Sequence, residues 1–324
     1  MSFDEVLGQP VAVQILKHAL RSKKVHHAYR FEGPDGVGKE RAALALAQSL
    51  VCDAPGDGAL ACGACSACHR AITFTDQEPH VPHHPDVVLI ARGLYSKVLG
   101  KPETNGIGVE QIRQVVLNRM GYSPHEGRAL VFIIRAAHEI SVRAANALLK
   151  TLEEPPASMY FVLLTDTPGA MLDTVRSRTL AVRFGPLPDA VVAQILQAQG
   201  CDPAVAGHAS GSAARALELS NVEVTERRAE FIENVRCALT APDFGSAISG
   251  FDLRNKDRHE LRQELGFLAH SFAERARATA RTNLASAEKA ARRFTLVHDS
   301  MRALEANGSP ALTIESLISR LRRA

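Results

Sequence analysis

The sequence predicts an α/β protein whose N-terminal half contains a mostly parallel sheet and whose C-terminal part is helical. Short apolar runs, which indicate buried strands, alternate with helical patterns as far as residue 185. A glycine-rich turn joins the first strand to a helix, and strand signals stop after Phe184-Gly185-Pro186. Because strands that alternate with helices are commonly joined in parallel, we expect a sheet covered by helices on both faces.

Each element of this half is predicted from a local pattern. Strands are expected at residues 27–32, 87–90, 130–134 and 160–164, and helices at residues 41–50, 109–116 and 141–153. In the last of these helices Ser141 is a suitable N-cap, and Pro155-Pro156 prevents the helix from continuing.

Three domains are expected from the way the patterns change. Residues 1–186 form the P-loop-like domain, with a four-cysteine module at about 52–68, residues 187–221 form a small helical module, and residues 222–324 form an all-α domain. Apolar residues of the last domain share helix faces, and these are Leu261, Leu265, Leu268 and Phe272 in one helix and Ile314, Leu317, Ile318 and Leu321 in another.

Composition argues against a membrane or secreted protein. No apolar run approaches the roughly 18 residues that a membrane-spanning helix needs, and the start lacks a basic and apolar signal-peptide pattern. We expect a cytoplasmic protein with reduced thiols. The stretch from Arg258 onward is net basic, which would suit nucleic acid or an acidic partner, but a solvated helical surface is the favoured interpretation.

A P-loop pattern is present through its lysine. Gly33, Gly36 and Gly38 precede Lys39 at the required spacing, after a predicted strand and before a predicted helix. Backbone N–H groups of such a turn cradle phosphates, and the lysine reaches the terminal phosphates. These four residues are therefore the candidate nucleotide-binding residues, although nucleotide binding is doubtful for the following reason.

Both protein ligands of the expected magnesium ion are replaced. Glu40 stands where the motif needs a Ser or Thr hydroxyl, and Arg135-Ala136 follows the strand at 130–134 where an acid is needed. We therefore predict no intrinsic ATPase activity, while weak nucleotide binding stays open. Because both replaced ligands approach one ion, we hypothesise that Glu40 and Arg135 form an ion pair there; the alternative is that both point to solvent.

Four cysteines have the spacing of a metal site. Cys52, Cys62, Cys65 and Cys68 suit a tetrahedral structural Zn²⁺ ion, because two short Cys-x2-Cys steps and a fourth thiol fill its coordination sphere. Disulfide or redox chemistry and an iron–sulfur cluster are the less favoured alternatives. Nearby histidines could replace a ligand, but solvent-facing loop positions are favoured for all of them, namely His69, His80, His83 and His84.

Several segments together resemble bacterial clamp-loader AAA+ subunits of DNA polymerase III. They are the residues 26–34, 109–113 and 144–156 and the four-cysteine insert, and the resemblance is good over residues 3–185. It implies an AAA+-type P-loop domain, a small helical lid and an all-α collar domain that joins a hetero-oligomeric ring. Motor subunits of the family keep the magnesium ligands and delta-prime subunits often lose them, so this chain resembles the delta-prime branch.

The resemblance also implies partners and a role for one arginine. The partners would be the motor subunits and the delta subunit and, indirectly, the sliding clamp loaded on primed DNA during replication. Ser177-Arg178-Thr179 is similar to the family's Ser-Arg-Cys motif, which makes Arg178 an arginine finger for a neighbouring ATPase subunit; a surface or domain-linking arginine is the alternative. Thr165 occupies the family's first sensor position, whereas Arg215 is shifted from that of the lid arginine, and its role is not carried over.

Two other functions compete with this interpretation. The chain could be an ATP-hydrolysing motor subunit of the same machine, which Glu40 and Arg135 oppose. It could also be a zinc-containing DNA-binding module on an inactive P-loop scaffold, but no basic and aromatic patch adjoins the cysteines. In the favoured interpretation the chain carries a polymerase classification through membership of the DNA polymerase III holoenzyme, without catalysing a reaction itself.

Overall fold

The structure, a computed structural model, describes residues 3–100, 106–126, 128–156, 158–251, 258–305 and 308–323. The chain consists of two compact units that divide between Ser220 and Asn221. The first unit includes the predicted small helical module, so the boundary at residue 186 stays a prediction.

A five-stranded parallel sheet forms the centre of the first unit, with the order β2-β3-β4-β1-β5. The strands are β1 (Ala28–Glu32), β2 (Val87–Ile90), β3 (Leu130–Ile134), β4 (Met159–Thr165) and β5 (Leu180–Arg183). The predicted P-loop fold class is confirmed. The edge strand β5 was not predicted, because it has four residues and only Val182 among them is buried.

Helices cover both faces of this sheet. They are α1 (Pro10–Arg21), α2 (Lys39–Val51), α3 (Ser66–Arg70), α4 (Val109–Val115), α5 (Val142–Glu153), α6 (Asp173–Arg176), α7 (Asp189–Ala198) and α8 (Ala213–Ser220). Alternate side chains of β3 enter opposite cores, as the pleat requires. Val131 and Ile133 pack in the core that includes α2, and Phe132 and Ile134 pack in the core that includes α5.

The two ends of the parallel strands form two edges of the sheet that carry different functional residues. The carboxyl ends of β1, β3 and β4 lie at one edge, which brings together the P-loop, Arg135 and the residues after Thr165. Arg178 precedes β5 and therefore lies at the opposite edge. The two edges are separated by about 16 Å, since a strand of five residues rises roughly 3.3 Å per residue.

The second unit is built from helices. These are α9 (Val222–Thr240), α10 (Phe244–Ile248), α11 (Arg258–Thr279), α12 (Leu284–Glu305) and α13 (Pro310–Arg323). The two predicted apolar faces are confirmed as buried core, with Leu261 and Leu265 on α11 and Leu317 and Leu321 on α13 almost wholly inaccessible. Throughout the part of the chain that the structure describes, no helix is both long and apolar enough to span a bilayer.

Candidate functional site

The P-loop connects β1 to α2, as its motif predicts. Gly36 and Gly38 adopt positive φ angles of 71° and 97°, which glycine tolerates best. At Gly33 a side chain is excluded, because a Cβ atom would lie 2.2 Å from the carbonyl oxygen of Phe184. The loop therefore has the glycine-dependent path of a phosphate-binding turn ahead of a helix N-terminus.

Lys39 is turned back onto its own loop. Its amine donates hydrogen bonds to the carbonyl oxygens of Gly33, at 2.6 Å, and Pro34, at 2.5 Å. Burial lowers the pKa of Lys39, while attraction from Asp35 and Asp166 opposes that shift. A phosphate in this loop would have to replace two internal hydrogen bonds in order to gain the contact with the lysine.

Glu40 and Arg135 form the hypothesised ion pair. Nε of Arg135 donates to Oε2 of Glu40 at 2.8 Å, and a second guanidinium nitrogen donates to Oε1. Both side chains are about one-third exposed, at 38% and 36%, so solvent screens the pair. The guanidinium thus compensates the carboxylate where a P-loop enzyme places a cation.

The small helical module closes against the P-loop. The backbone N–H of Ala213 donates to the carbonyl oxygen of Gly36 at 2.9 Å. A Cβ atom on Gly36 would lie only 2.3 Å from Oγ of Ser212. This Oγ also accepts from the backbone N–H of Arg215 at 3.2 Å, so the start of α8 and the phosphate loop are joined by backbone contacts.

Gln9 ties the same region together from the start of α1. This side chain is 5% exposed, and it exchanges two hydrogen bonds with the peptide groups of Gly185, at 2.6 and 3.1 Å. Its amide also donates to the carbonyl oxygen of Val37 at 3.2 Å. One buried amide consequently joins the phosphate loop to the segment that follows β5.

The predicted sensor residue Thr165 is buried and hydrogen-bonded within the chain. Its Oγ1 lies 3.1 Å from Nδ1 of His138 and accepts from the backbone N–H of Thr167 at 3.1 Å. Asp166 lies 3.3 Å from the same His138 nitrogen and acts electrostatically on Lys39. Sequence reasoning missed Asp166, although an acid directly after β4 lies at the ligand-binding edge of a parallel sheet.

Arg178 lies on the turn between α6 and β5. Its Nε donates to Oε1 of Glu153 at 2.7 Å, and Nη1 donates to the carbonyl oxygen of Thr174 at 2.9 Å. The side chain is 33% exposed, so the guanidinium remains accessible from solvent. Because this turn lies at the edge opposite the P-loop, Arg178 does not reach the phosphate loop of its own chain.

The four predicted cysteines converge at the end of α2. Their Sγ atoms all lie within 4.8 Å of one another, and the pairs Cys52–Cys65 and Cys62–Cys68 are separated by 3.9 Å. Ligands at 2.3 Å from a tetrahedral zinc ion would be about 3.8 Å apart. The arrangement can hold a metal ion, and the sulfurs are too far apart for disulfide bonds.

Backbone amides support the cluster. N–H groups of Cys62, Cys65 and Cys68 point to sulfurs of Cys52, Cys62 and Cys65, at 3.3, 3.4 and 3.4 Å. Backbone N–H groups lower the pKa of Cys62 to about 6, whereas burial raises the pKa of Cys52 and of Cys68. Amide donors that stabilise thiolate charge are suited to metal ligation.

The expectation for the nearby histidines is wrong at one position. His69, His80 and His83 are exposed, but His84 is 1% exposed and its Nε2 lies 3.1 Å from Oε2 of Glu126. Tertiary packing of the segment before β2 buries this ring. Among the described residues, the candidate metal cluster contains cysteines alone.

A comparison with known families identifies the chain. The family model described as DNA polymerase III, delta subunit, matches residues 8–188, which is more than half of the chain. The chain belongs to this clamp-loader family. The match includes the P-loop, the cysteine cluster and Arg178, whereas α9 to α13 lie outside it.

Individual relatives are similar over part of the chain. The gamma/tau subunit of DNA polymerase III from Mycobacterium tuberculosis is 36% identical over 203 residues, which are 61% of this chain and 32% of that protein. The delta' subunit from Bacillus subtilis is 33% identical over 231 residues, which are 69% of this chain and 63% of that protein. The chain thus spans less than two thirds of the length of either relative.

One solved structure is also similar over most of its length. A DNA polymerase III gamma subunit-related protein from Thermotoga maritima aligns with a TM-score of 0.46 at 15% identity, covering 95% of this chain and 98% of that one.

Proposed function

We propose that this clamp-loader family member is a delta-prime-type subunit of the DNA polymerase III clamp loader. It helps to load the sliding clamp on primed DNA without hydrolysing ATP itself. Its partners are the motor subunits and the delta subunit, and through them the sliding clamp and the primer–template DNA.

The Glu40–Arg135 ion pair is the observation that carries this proposal. An ATPase of this class needs a hydroxyl and a carboxylate on its magnesium ion. Here an arginine and a glutamate at those positions bind each other instead. The internal hydrogen bonds of Lys39 and the contact of Ala213 with Gly36 also support a pocket that functions without nucleotide.

Arg178 is the residue through which this chain would act on catalysis. In the neighbouring motor subunit, water attacks the γ-phosphate and ADP leaves, while charge develops on the phosphoryl oxygens. A guanidinium supplied in trans stabilises that charge. The position of Arg178 at the edge away from its own P-loop supports action on a neighbour, since it needs only to exchange Glu153 for the phosphate.

The cysteine cluster would hold a structural Zn²⁺ ion. Four thiolates complete a tetrahedral coordination sphere, which leaves no open position for a substrate or a catalytic water. The ion would order the segment between Cys52 and Cys68, with the backbone amides orienting the sulfurs.

Reconstitution tests the proposal directly. The chain is mixed with candidate motor, delta and sliding-clamp proteins, the complex is isolated by size exclusion, and ATP turnover is measured with primed DNA. We expect the chain alone to have no turnover, and Arg178→Ala to lower turnover of the assembled complex by at least about tenfold. Assembly itself should not change.

Arg176→Ala is the matched control, because Arg176 ends α6 two residues before Arg178 and its side chain pairs only with exposed Asp173, among the contacts of the described residues. Loss of turnover with both variants, or with neither, contradicts the finger assignment. A motor subunit is the second candidate, since the gamma/tau relative is about as similar as the delta' relative. Magnesium-dependent hydrolysis by the purified chain would establish it.

A further inference from the structure

A buried arginine lies in the middle of β1, on the central part of the sheet. Arg30 is 8% exposed, and its strand neighbours Tyr29 and Phe31 are almost fully buried apolar residues. A buried charge is costly unless it is paired and hydrogen-bonded. The partners of this guanidinium therefore indicate what it does.

The guanidinium joins an acid on its own strand to a distant turn. Nε donates to Oε1 of Glu32 at 2.6 Å, and both side chains are largely buried. Its Nη1 donates to the carbonyl oxygen of Arg176 at 2.7 Å and to Oγ1 of Thr179 at 2.6 Å. The charge is thus neutralised by Glu32, while two donors are directed at the turn between α6 and β5.

The two acceptors on this turn flank Arg178. Thr179 is 9% exposed, and its hydroxyl accepts from Arg30 while donating within the turn, for example to the carbonyl oxygen of Val175 at 3.1 Å. Arg176 supplies its backbone oxygen on the other side. The backbone of Arg178 is consequently held to the centre of the sheet at both flanks, while its side chain remains accessible.

We propose that Arg30 and Thr179 are positioning residues for Arg178. They fix the backbone from which the guanidinium of Arg178 extends, and they contact no phosphate themselves. This inference rests on the proposed function of Arg178 as an arginine finger. It also gives a role to Thr179, which stands where the family motif has cysteine: its hydroxyl accepts the hydrogen bond that anchors the turn.

A loosened turn should slow catalysis without weakening nucleotide binding. The neighbouring subunit binds ATP with its own P-loop, so the KM for ATP should stay the same. The charge on the transferring phosphoryl group requires the guanidinium at a defined place, and a misplacement of about 1 Å can cost on the order of 100-fold in rate. The signature of positioning is therefore a lower kcat at constant KM.

The test uses the reconstituted complex and five variants of this chain, one of which combines Thr179→Val with Arg178→Ala. Thr179→Val keeps the shape but removes the acceptor, and Thr179→Ser keeps the hydroxyl. Arg30→Met removes the donors, and Arg178→Ala removes the finger. For each complex purified by size exclusion, kcat and KM for ATP are measured per assembled particle.

We expect Thr179→Val and Arg30→Met to lower kcat by about tenfold at unchanged KM. Thr179→Ser should restore most of the rate. Adding Thr179→Val to Arg178→Ala should cause no further loss, because the turn then positions nothing. If Arg30→Met fails to fold, the threonine series alone decides the outcome.

The outcomes separate the two proposals. If Arg178→Ala leaves kcat unchanged, the arginine finger itself is wrong. If Arg178→Ala lowers kcat but Thr179→Val does not, or if Thr179→Val still lowers kcat in the Arg178→Ala background, the positioning role is wrong and the finger stands.

Discussion

The two ends of helix α2 differ in the side chains that surround a possible metal site. At its first turn, Glu40 and Arg135 take the two positions of the expected magnesium ligands and bind each other. Directly after its last residue, Cys52 meets three further cysteines, and the four sulfurs lie within 4.8 Å of one another. At the first end the charge of Glu40 is neutralised by another side chain of the protein. At the second end four potential metal ligands lie close together, and a bound cation would balance the charge of their thiolates.

The two ends differ in whether their side chains neutralise one another. Where ligands have been replaced by groups of opposite charge, the protein satisfies itself and the site needs no ion. Where several groups that bind metals as anions converge, their mutual repulsion as thiolates is relieved by a cation. Residue identity alone is not decisive, since Glu40 by itself would also be an acceptable magnesium ligand.

We expect metal removal to have the largest effect on thermal stability. A small effect would contradict the contrast drawn between the two ends of α2. A structural zinc ion contributes on the order of 10 kcal/mol of binding free energy to folding. We expect a chelator, or Cys68→Ser, to lower Tm by about 10 °C or more, measured by differential scanning fluorimetry beside metal analysis. Cys237→Ser is the control, because this exposed cysteine lies outside the cluster. Equal Tm values with and without chelator would refute a metal-dependent module.

Gly36→Ala tests how tightly the small helical module packs against the phosphate loop. The Cβ atom would meet Ser212 at 2.3 Å, in addition to the strain of a positive φ of 71°. Gly200→Ala is a matched control with φ of 73° and open space around its Cβ. We expect a loss of about 1 kcal/mol for Gly200→Ala and about 2–3 kcal/mol for Gly36→Ala in urea unfolding. Equal losses would show that the module does not close on the loop.

Introducing magnesium ligands at the first turn of α2 should make nucleotide binding by this chain depend on magnesium. The double variant Glu40→Thr and Arg135→Asp replaces the ion pair by a hydroxyl and a carboxylate, which magnesium prefers. We expect at least about tenfold tighter nucleotide binding with Mg²⁺ than with EDTA, measured with a fluorescent nucleotide. Glu40→Ala with Arg135→Ala removes the pair without adding ligands and should show no such difference.

The smallest effect concerns the surface pair that joins the cysteine module to the segment before β3. A hydrogen bond from Arg70 holds the pKa of Glu126 below its ordinary value of 4.5. Because the folded pKa is depressed, the contribution is fully present above about pH 4.5 and is lost as pH falls through the folded value. Glu126→Gln should cost about 1 kcal/mol or less at pH 7, and the difference from wild type should vanish under acid conditions.

Urea unfolding across pH measures this effect. Glu78→Gln is the control, since Glu78 pairs with Lys97 at a more exposed position and should cost less. A cost for Glu126→Gln that does not change with pH would assign its role to packing instead of charge.

Much of this protein could be predicted because the signals are local in the chain. Five consecutive apolar residues predicted β3, the spacing of glycines and lysine predicted the P-loop, and Cys-x2-Cys steps predicted the cluster. The Glu40–Arg135 pair was predictable although 95 residues separate its members, because both positions belong to one known metal site. The known geometry of the magnesium site thus indicated that two residues distant in sequence lie close together.

Other features were decided only by tertiary structure. The edge strand β5 has an apolar run of only three residues, Leu180 to Val182, and it forms by pairing with β1. Arg30 reaches Thr179 across 149 residues, and His84 is buried against Glu126, with no local pattern that signals either contact. Periodicity and spacing report which face of an element is apolar. The partner that a buried polar group finds depends on how the sheet brings distant segments together, which folding of the whole unit determines.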